Sequence, residues 1–209
     1  MRPIAIALAL PATLALTLAL AACGPGATQG EAGQAGSTVI SSGAAEIGGP
    51  FTLVDDTGAV VTESELEGQP TLVYFGFSYC PDVCPTALQK LGAAQERMGA
   101  AADDVQFVMV SVDPERDTPE QMATYVTNNG FPKGLRGFTG TVEQVDAIKD
   151  AYKVYAQKVP LEDSPMGYTV DHQDIIYLMG RDGELAGYFG PNQTPADIAV
   201  GVRQYLANS

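Results

Sequence analysis

The chain has 209 residues and a formal net charge of −14, from 25 acidic residues against 11 basic ones. That balance excludes nucleic acid and an anionic lipid surface as partners, because both carry the same sign of charge. The length suffices for one domain of ordinary size and a tail, and soft metal or thiol chemistry is confined to three cysteines and a single histidine.

Met1-Arg2 is a minimal positive start, and Ile4 to Ala22 is almost wholly apolar. This is a secretory core segment ending in Leu20-Ala21-Ala22-Cys23-Gly24, which resembles the bacterial lipoprotein signal. The resemblance implies a signal peptide over 1–22 and lipidation at Cys23, which accounts for the odd cysteine. The alternative is an uncleaved membrane anchor; either way the remainder lies outside the cytoplasm. Gly24 to Gly49 is rich in Gly, Ala, Ser and Thr, with only Val39, Ile40 and Ile47 as larger apolar groups. Such a segment cannot bury enough to order itself, so 23–49 reads as a lipidated cysteine and a flexible tether, reaching on the order of 30 Å.

From Pro50 to the end, 50–209, the pattern is globular. Phe51–Leu53 and Val60–Thr62 flank Asp55-Asp56-Thr57-Gly58, which predicts an opening hairpin. Thr71 to Phe77, rich in aromatic and branched residues, predicts a buried strand. Val83, Ala87, Leu88, Leu91, Ala94 and Met98 recur at helical spacing, so a helix follows, starting near Pro81 in its first turn. Asp104 to Val112 is a second buried strand. Thr118-Pro119-Glu120-Gln121 and Thr141-Val142-Glu143-Gln144 each open a helix with a capping box, the first ending near Asn128-Asn129-Gly130, with a short strand over Leu135–Phe138 between them. Ala156 to Gly167, with Pro160 and Pro165, reads as an irregular loop. Asp174–Met179 and Glu184–Phe189 bracket Gly180-Arg181-Asp182-Gly183 as a hairpin, and a last helix starts at Thr194-Pro195. Parallel strands alternating with helices and an antiparallel pair at the end predict an α/β fold, a mixed sheet flanked by helices.

Cys80 and Cys84 fall where the first buried strand hands over to its helix. A helix N-terminus favours the thiolate, which is both a nucleophile and a soft metal ligand. A structural disulfide is the plainer reading, but closing so short a loop gains little. His172, alone in Val170-Asp171-His172-Gln173, gains weight only beside the cysteines. Two thiolates and an imidazole suit Cu(I), can hold Cu(II), and would also serve zinc with a water. Asp113, Glu115 and Asp117 form either an acidic docking edge or, more simply, a turn at Asp113-Pro114 with Asp117 supporting the cap at Thr118. Met166 beside the loop is either a transient soft ligand or, more simply, a packing residue.

Phe75-Gly-Phe-Ser-Tyr-Cys-Pro-Asp-Val-Cys-Pro-Thr86, Val110-Ser-Val-Asp-Pro-Glu-Arg-Asp-Thr-Pro119 and Asp171-His172 before Ile176-Tyr177-Leu178 together resemble the Sco/SenC family of copper-binding proteins. The resemblance implies a thioredoxin-like fold and one copper ion, Cu(I) or Cu(II), held by Cys80, Cys84 and His172. It further implies delivery of copper to the CuA site of a cytochrome c oxidase subunit, a copper donor outside the cytoplasm, and attachment to the cell envelope through the lipid anchor. Gln173-Asp174 departs from the small hydroxyl residues of many relatives. The enzymatic alternative is a thiol–disulfide oxidoreductase in which Cys80 and Cys84 are the redox pair and keep an oxidase subunit's cysteines reduced. A peroxiredoxin-like peroxidase is a more distant one, suggested by Phe77-Ser78-Tyr79-Cys80. Replacing Cys23 with Ser is expected to abolish lipid attachment in metabolic labelling and to leave metal binding unchanged.

Overall fold

The computed structural model describes residues 47–209; the signal, Cys23 and most of the tether lie outside the described residues. Ile47 already packs on the core and the Gly48 amide donates to the Ala151 carbonyl at 3.1 Å. Among the described residues no helix is long and apolar enough to cross a membrane.

The opening hairpin forms from β1 (Thr52–Asp55) and β2 (Val60–Thr62), paired antiparallel. The Asp55 carboxylate closes its turn by accepting from the Thr57 and Ala59 amides at 2.9 and 3.0 Å, and Gly58 takes the positive φ of 88° that other residues avoid. Strand β3 (Thr71–Gly76) is buried along its whole length. Both of its edges are paired, parallel to β4 (Gln106–Ser111) and antiparallel to β8 (Ile176–Met179). Such a strand has no solvent face, which is why its sequence shows a continuous apolar run instead of alternation.

Seven strands make one mixed sheet in the order β2-β1-β5-β4-β3-β8-β9, with β5 spanning Arg136–Thr139 and β9 Leu185–Phe189. Helix α1 (Val83–Met98) crosses from β3 to β4 and buries Cys84, Ala87, Leu88, Leu91, Gly92, Ala94 and Met98. It lies on the face that carries Tyr74 and Gly76, beside α4 (Pro195–Asn208). Helix α2 (Pro119–Tyr125) covers β5 through Met122 and Val126 against Gly137. After α3 (Val142–Ala151), Tyr152 packs on Phe75 and Tyr177 on the opposite face of the sheet. A mixed sheet between helices, with the first crossover leaving the central strand, is the thioredoxin-like α/β architecture expected.

The helix starts divide into kept and altered expectations. Thr141 and Gln144 form the full capping box of α3, and Thr194 with Asp197 forms that of α4. At α2 only half of it exists: the Thr118 hydroxyl accepts from the Gln121 amide, but the Gln121 side chain donates to Ser78 at 3.1 Å instead. Helix α2 also stops at Tyr125, and turns carry the chain on through Gly130. The stretch expected to be an irregular loop is half strand. Ala156–Pro160 is β6, pairing antiparallel with β7 (Tyr168–His172) in a separate two-stranded sheet. Pro160 ends β6, where its missing amide hydrogen costs no ladder bond in a strand with a free edge.

Gly92 marks the tightest approach of α1 to the rest. A Cβ there would overlap the carbonyl oxygen of Gly130, a backbone atom that cannot rotate aside. Gly92→Ala is expected to destabilise the fold by roughly 2–3 kcal/mol through overpacking, seen as a lower urea midpoint; an unchanged midpoint would mean that the 126–135 segment yields freely.

Candidate metal centre

The cysteine loop is built from the end of β3 outward. Past Gly76 the chain leaves the sheet, and the Cys80 amide turns back to the Phe77 carbonyl at 3.2 Å. Helix α1 begins at Val83 with Asp82 as N-cap, two residues later than the sequence predicts. The reason is Pro85, which occupies the third helical position, where an amide hydrogen has no partner in the helix anyway. Cys80 therefore sits in the turn before the helix and Cys84 in its first turn. The Cys84 amide donates to the Cys80 sulfur at 3.3 Å, one of the unpaired amides of the helix start aimed at a sulfur.

A buried carboxylate holds this turn. Asp117 is fully buried and accepts from the Ser78 amide at 3.1–3.2 Å, the Ser78 hydroxyl at 2.6 Å and the Ser111 hydroxyl at 2.6 Å. Burial raises its pKa, and the serine hydrogen bonds act against that shift. Asp117 thus fastens the ends of β3 and β4 together rather than supporting the Thr118 cap. Asp113 is also fully buried, so the acidic docking edge does not exist as such: only Glu115 faces solvent, paired with Lys158 at 2.6 Å.

The third donor comes from the far end of the chain. His172 ends β7, and its Nε2 lies 3.3 Å from the Cys84 sulfur. Its Nδ1 is 3.0 Å from the Gln173 carbonyl oxygen, which can only accept, so the proton belongs on Nδ1 and the Nε2 lone pair points at the sulfur. Phe77 and Tyr74 meet the imidazole edge-on, with ring centroids 5.8 and 6.2 Å away. The donor atoms of Cys80, Cys84 and His172 all fall within 4.8 Å of one another, the one such group of three among the described residues. A Cβ on Gly76 would press both the Tyr74 ring and the Cys84 sulfur, at 2.8 and 3.0 Å. Glycine at that position is a requirement of the site.

Electrostatically the two sulfurs are unequal, and both are free thiols. The Cys84 thiol serves as hydrogen-bond donor to Cys80, the largest of several hydrogen bonds that bring the Cys80 thiol down to about 4 against the burial penalty. The same contact, with burial, pushes Cys84 up, so it keeps the proton. A soft anionic donor, a second thiol poised to become one, and an imidazole lone pair form a three-coordinate set suited to a soft cation. Met166 lies exposed in the loop between β6 and β7. Sequence reasoning missed Arg116, whose guanidinium sits 3.8 Å from the Tyr168 ring and 5.1 Å from Tyr79; its place inside the DPERD stretch was the available signal.

A SCO1/SenC family model matches residues 40–207. The human "Protein SCO1 homolog, mitochondrial" is 41% identical over 162 residues, 77% of this chain and 53% of that protein. The chain thus spans about half the length of the curated relatives it matches. Among solved structures, Arabidopsis thaliana ScoI with copper bound superposes with a TM-score of 0.72 at 40% identity, covering 78% of this chain and 99% of that one. Bradyrhizobium japonicum ScoI with copper bound gives 0.69 at 43%, covering 76% and 99%. BsSco, described as a member of the Sco family of cytochrome c oxidase assembly proteins and as having a disulfide switch, gives 0.61 at 26%, covering 78% and 95%.

The inequality of the sulfurs has a measurable consequence. Alkylation follows the thiolate fraction, so Cys80 is expected to react with iodoacetamide at nearly its full rate from pH 8 down to about pH 5, slowing only as pH falls through about 4. Cys84 should stay unmodified throughout. Peptide mass mapping against pH checks this, and a rate that climbs only above pH 8 would contradict it.

Proposed function

The chain belongs to the SCO1/SenC family, and on that premise we propose that it is a copper carrier of the cell envelope. It takes up one copper ion at Cys80, Cys84 and His172 and passes it to the CuA site of cytochrome c oxidase. The observation that carries this reading is the convergence of two sulfurs and an imidazole lone pair within 4.8 Å, on a fold shared with copper-bound relatives. The copper is cargo, received from a donor outside the cytoplasm and released to a recipient. Residues 1–22 act as the lipoprotein signal, Cys23 carries the lipid, and 24–49 is the tether that gives the domain its reach.

The chemistry follows from the protonation of the pair. Cys80 is already a thiolate, so loading Cu(I) displaces one proton, from Cys84. The imidazole adds a neutral third donor without proton release from Nε2. Handing the ion on exchanges donors one by one, with no change of oxidation state. Oxidising the loaded pair to a disulfide sends two electrons to an accepting disulfide, which takes two protons from solvent as it becomes a dithiol; this removes both thiolates and discharges the ion.

One observation favours thiol–disulfide exchange as a second reading. Cys80 combines a low pKa with partial exposure, as an attacking thiolate requires. His172 separates the two, because thiol exchange does not need it. Anaerobic titration of the full-length protein is expected to show that His172→Ala still binds one Cu(I) through the two thiolates, more weakly, but loses Cu(II) and oxidase assembly. Full oxidase assembly with His172→Ala, alongside failure with Cys80→Ser, would establish the reductase reading and end this one.

A further inference from the structure

His172 reaches the site on a structure only loosely joined to the body. Strands β6 and β7 pair with each other and with no strand of the main sheet. Of their residues only Val170 is buried, and a cavity of about 190 Å³ lies beneath them, lined by Val112 and Pro114 on the body and Ala156, Lys158 and Val170 on the hairpin. Apolar packing alone therefore holds the hairpin weakly, and segments of this kind open locally well before the whole fold does.

Arg116 spans that gap. Its Nη1 donates to the Tyr168 carbonyl at 3.1 Å, at the first residue of β7, and its guanidinium stacks on the Tyr168 ring at 3.8 Å. On the other side it faces Tyr79 and Phe77 at 5.1 and 5.7 Å, which flank Ser78 in the cysteine loop. Its Nε pairs with the Asp113 carboxylate, fully buried, whose other oxygen accepts from the Tyr168 hydroxyl at 2.7 Å. One planar cation thus touches the cysteine loop, the β4–α2 turn and the hairpin that bears the histidine. The nearby ion pair from Lys158 to Glu115 is about half exposed on both sides and holds little.

We propose that Arg116 is the positioning residue of the metal centre: it latches the β6–β7 hairpin onto the cysteine loop and so keeps His172 beside Cys84. Its consequence for copper rests on the carrier reading above; the latch itself does not. The role calls for a flat group that stacks and donates in two directions at once, which lysine cannot supply. Arg116→Lys keeps a positive charge near Asp113 and loses the stacking and the fork. A second variant, Arg116→Met with Asp113→Asn, leaves no buried charge stranded and guards against failure to fold.

The experiment measures amide hydrogen exchange of the metal-free full-length protein, with copper titrations in parallel. Both variants should exchange the Tyr168–His172 amides at least about tenfold faster while β3 and β4 stay protected. Both should bind Cu(II) about 10–100-fold more weakly and lose its imidazole-dependent spectrum, while retaining one Cu(I). Unchanged exchange in the hairpin, or wild-type Cu(II) binding in both variants, overturns the proposal. If the wild-type protein takes up no copper, the carrier reading fails, and the exchange rates alone decide the latch.

Discussion

A carboxylate without access to solvent sets the geometry from which the rest of the site follows. Asp117 is taken out of water at a cost that only hydrogen bonding offsets, and its donors are the Ser78 amide, the Ser78 hydroxyl and the Ser111 hydroxyl. These groups lie where two parallel neighbouring strands run out. Fastening them together fixes the direction in which the chain leaves β3, and so the turn that presents Cys80 ahead of the helix. The Thr139 hydroxyl, donating to the Asp117 carbonyl at 2.6 Å, ties in a third strand at the same end of the sheet. Open α/β sheets keep their ligands at the carboxyl ends of strands, and here a single acid closes that end into a platform.

The division of labour between the two sulfurs grows from the same architecture. Cys84 stands inside the first turn of α1, packed under Tyr74 and above Gly76, with no water to stabilise its charge. Cys80 stands in the turn before it, partly open, and receives the amide that the helix cannot use. Burial and hydrogen bonding therefore move two chemically identical thiols in opposite directions, Cys80 toward the thiolate and Cys84 toward the thiol.

How much of this was legible from residues alone depended on the range of the interactions. Patterns within one element read correctly: the apolar run of β3, the α1 stripe, and the Thr141–Gln144 capping box all became what they predict. The three soft donors singled out also lie together, since few cysteines and one histidine leave little choice. What failed was competition across the chain. Gln121 has the spacing to close its own cap, yet it reaches Ser78, 43 residues away. Asp117 looks like a cap support and is instead claimed by Ser78, 39 residues away, and by Ser111. Strand β6 is nearly all exposed, so it carries no hydrophobic period to detect, and its two neighbouring prolines argued for a loop. Arg116 has one local partner, Asp113 three residues before it, but the rings and the carbonyl that define its place come from the cysteine loop and the hairpin.

The span between the donors joins the site to the folding of the chain. Cys80 and Cys84 are four residues apart and meet as soon as one helical turn exists, whereas Cys84 and His172 are separated by 88 residues. Contacts of such unequal sequence distance close at different stages, the distant one only after most loop-closure entropy has been met. A folding chain would thus own a dithiol before it owns a three-donor cluster. The imidazole arrives as the last donor and reports that β7 has been laid down correctly. Assembly of the three-donor cluster is then also a proofreading of the fold itself.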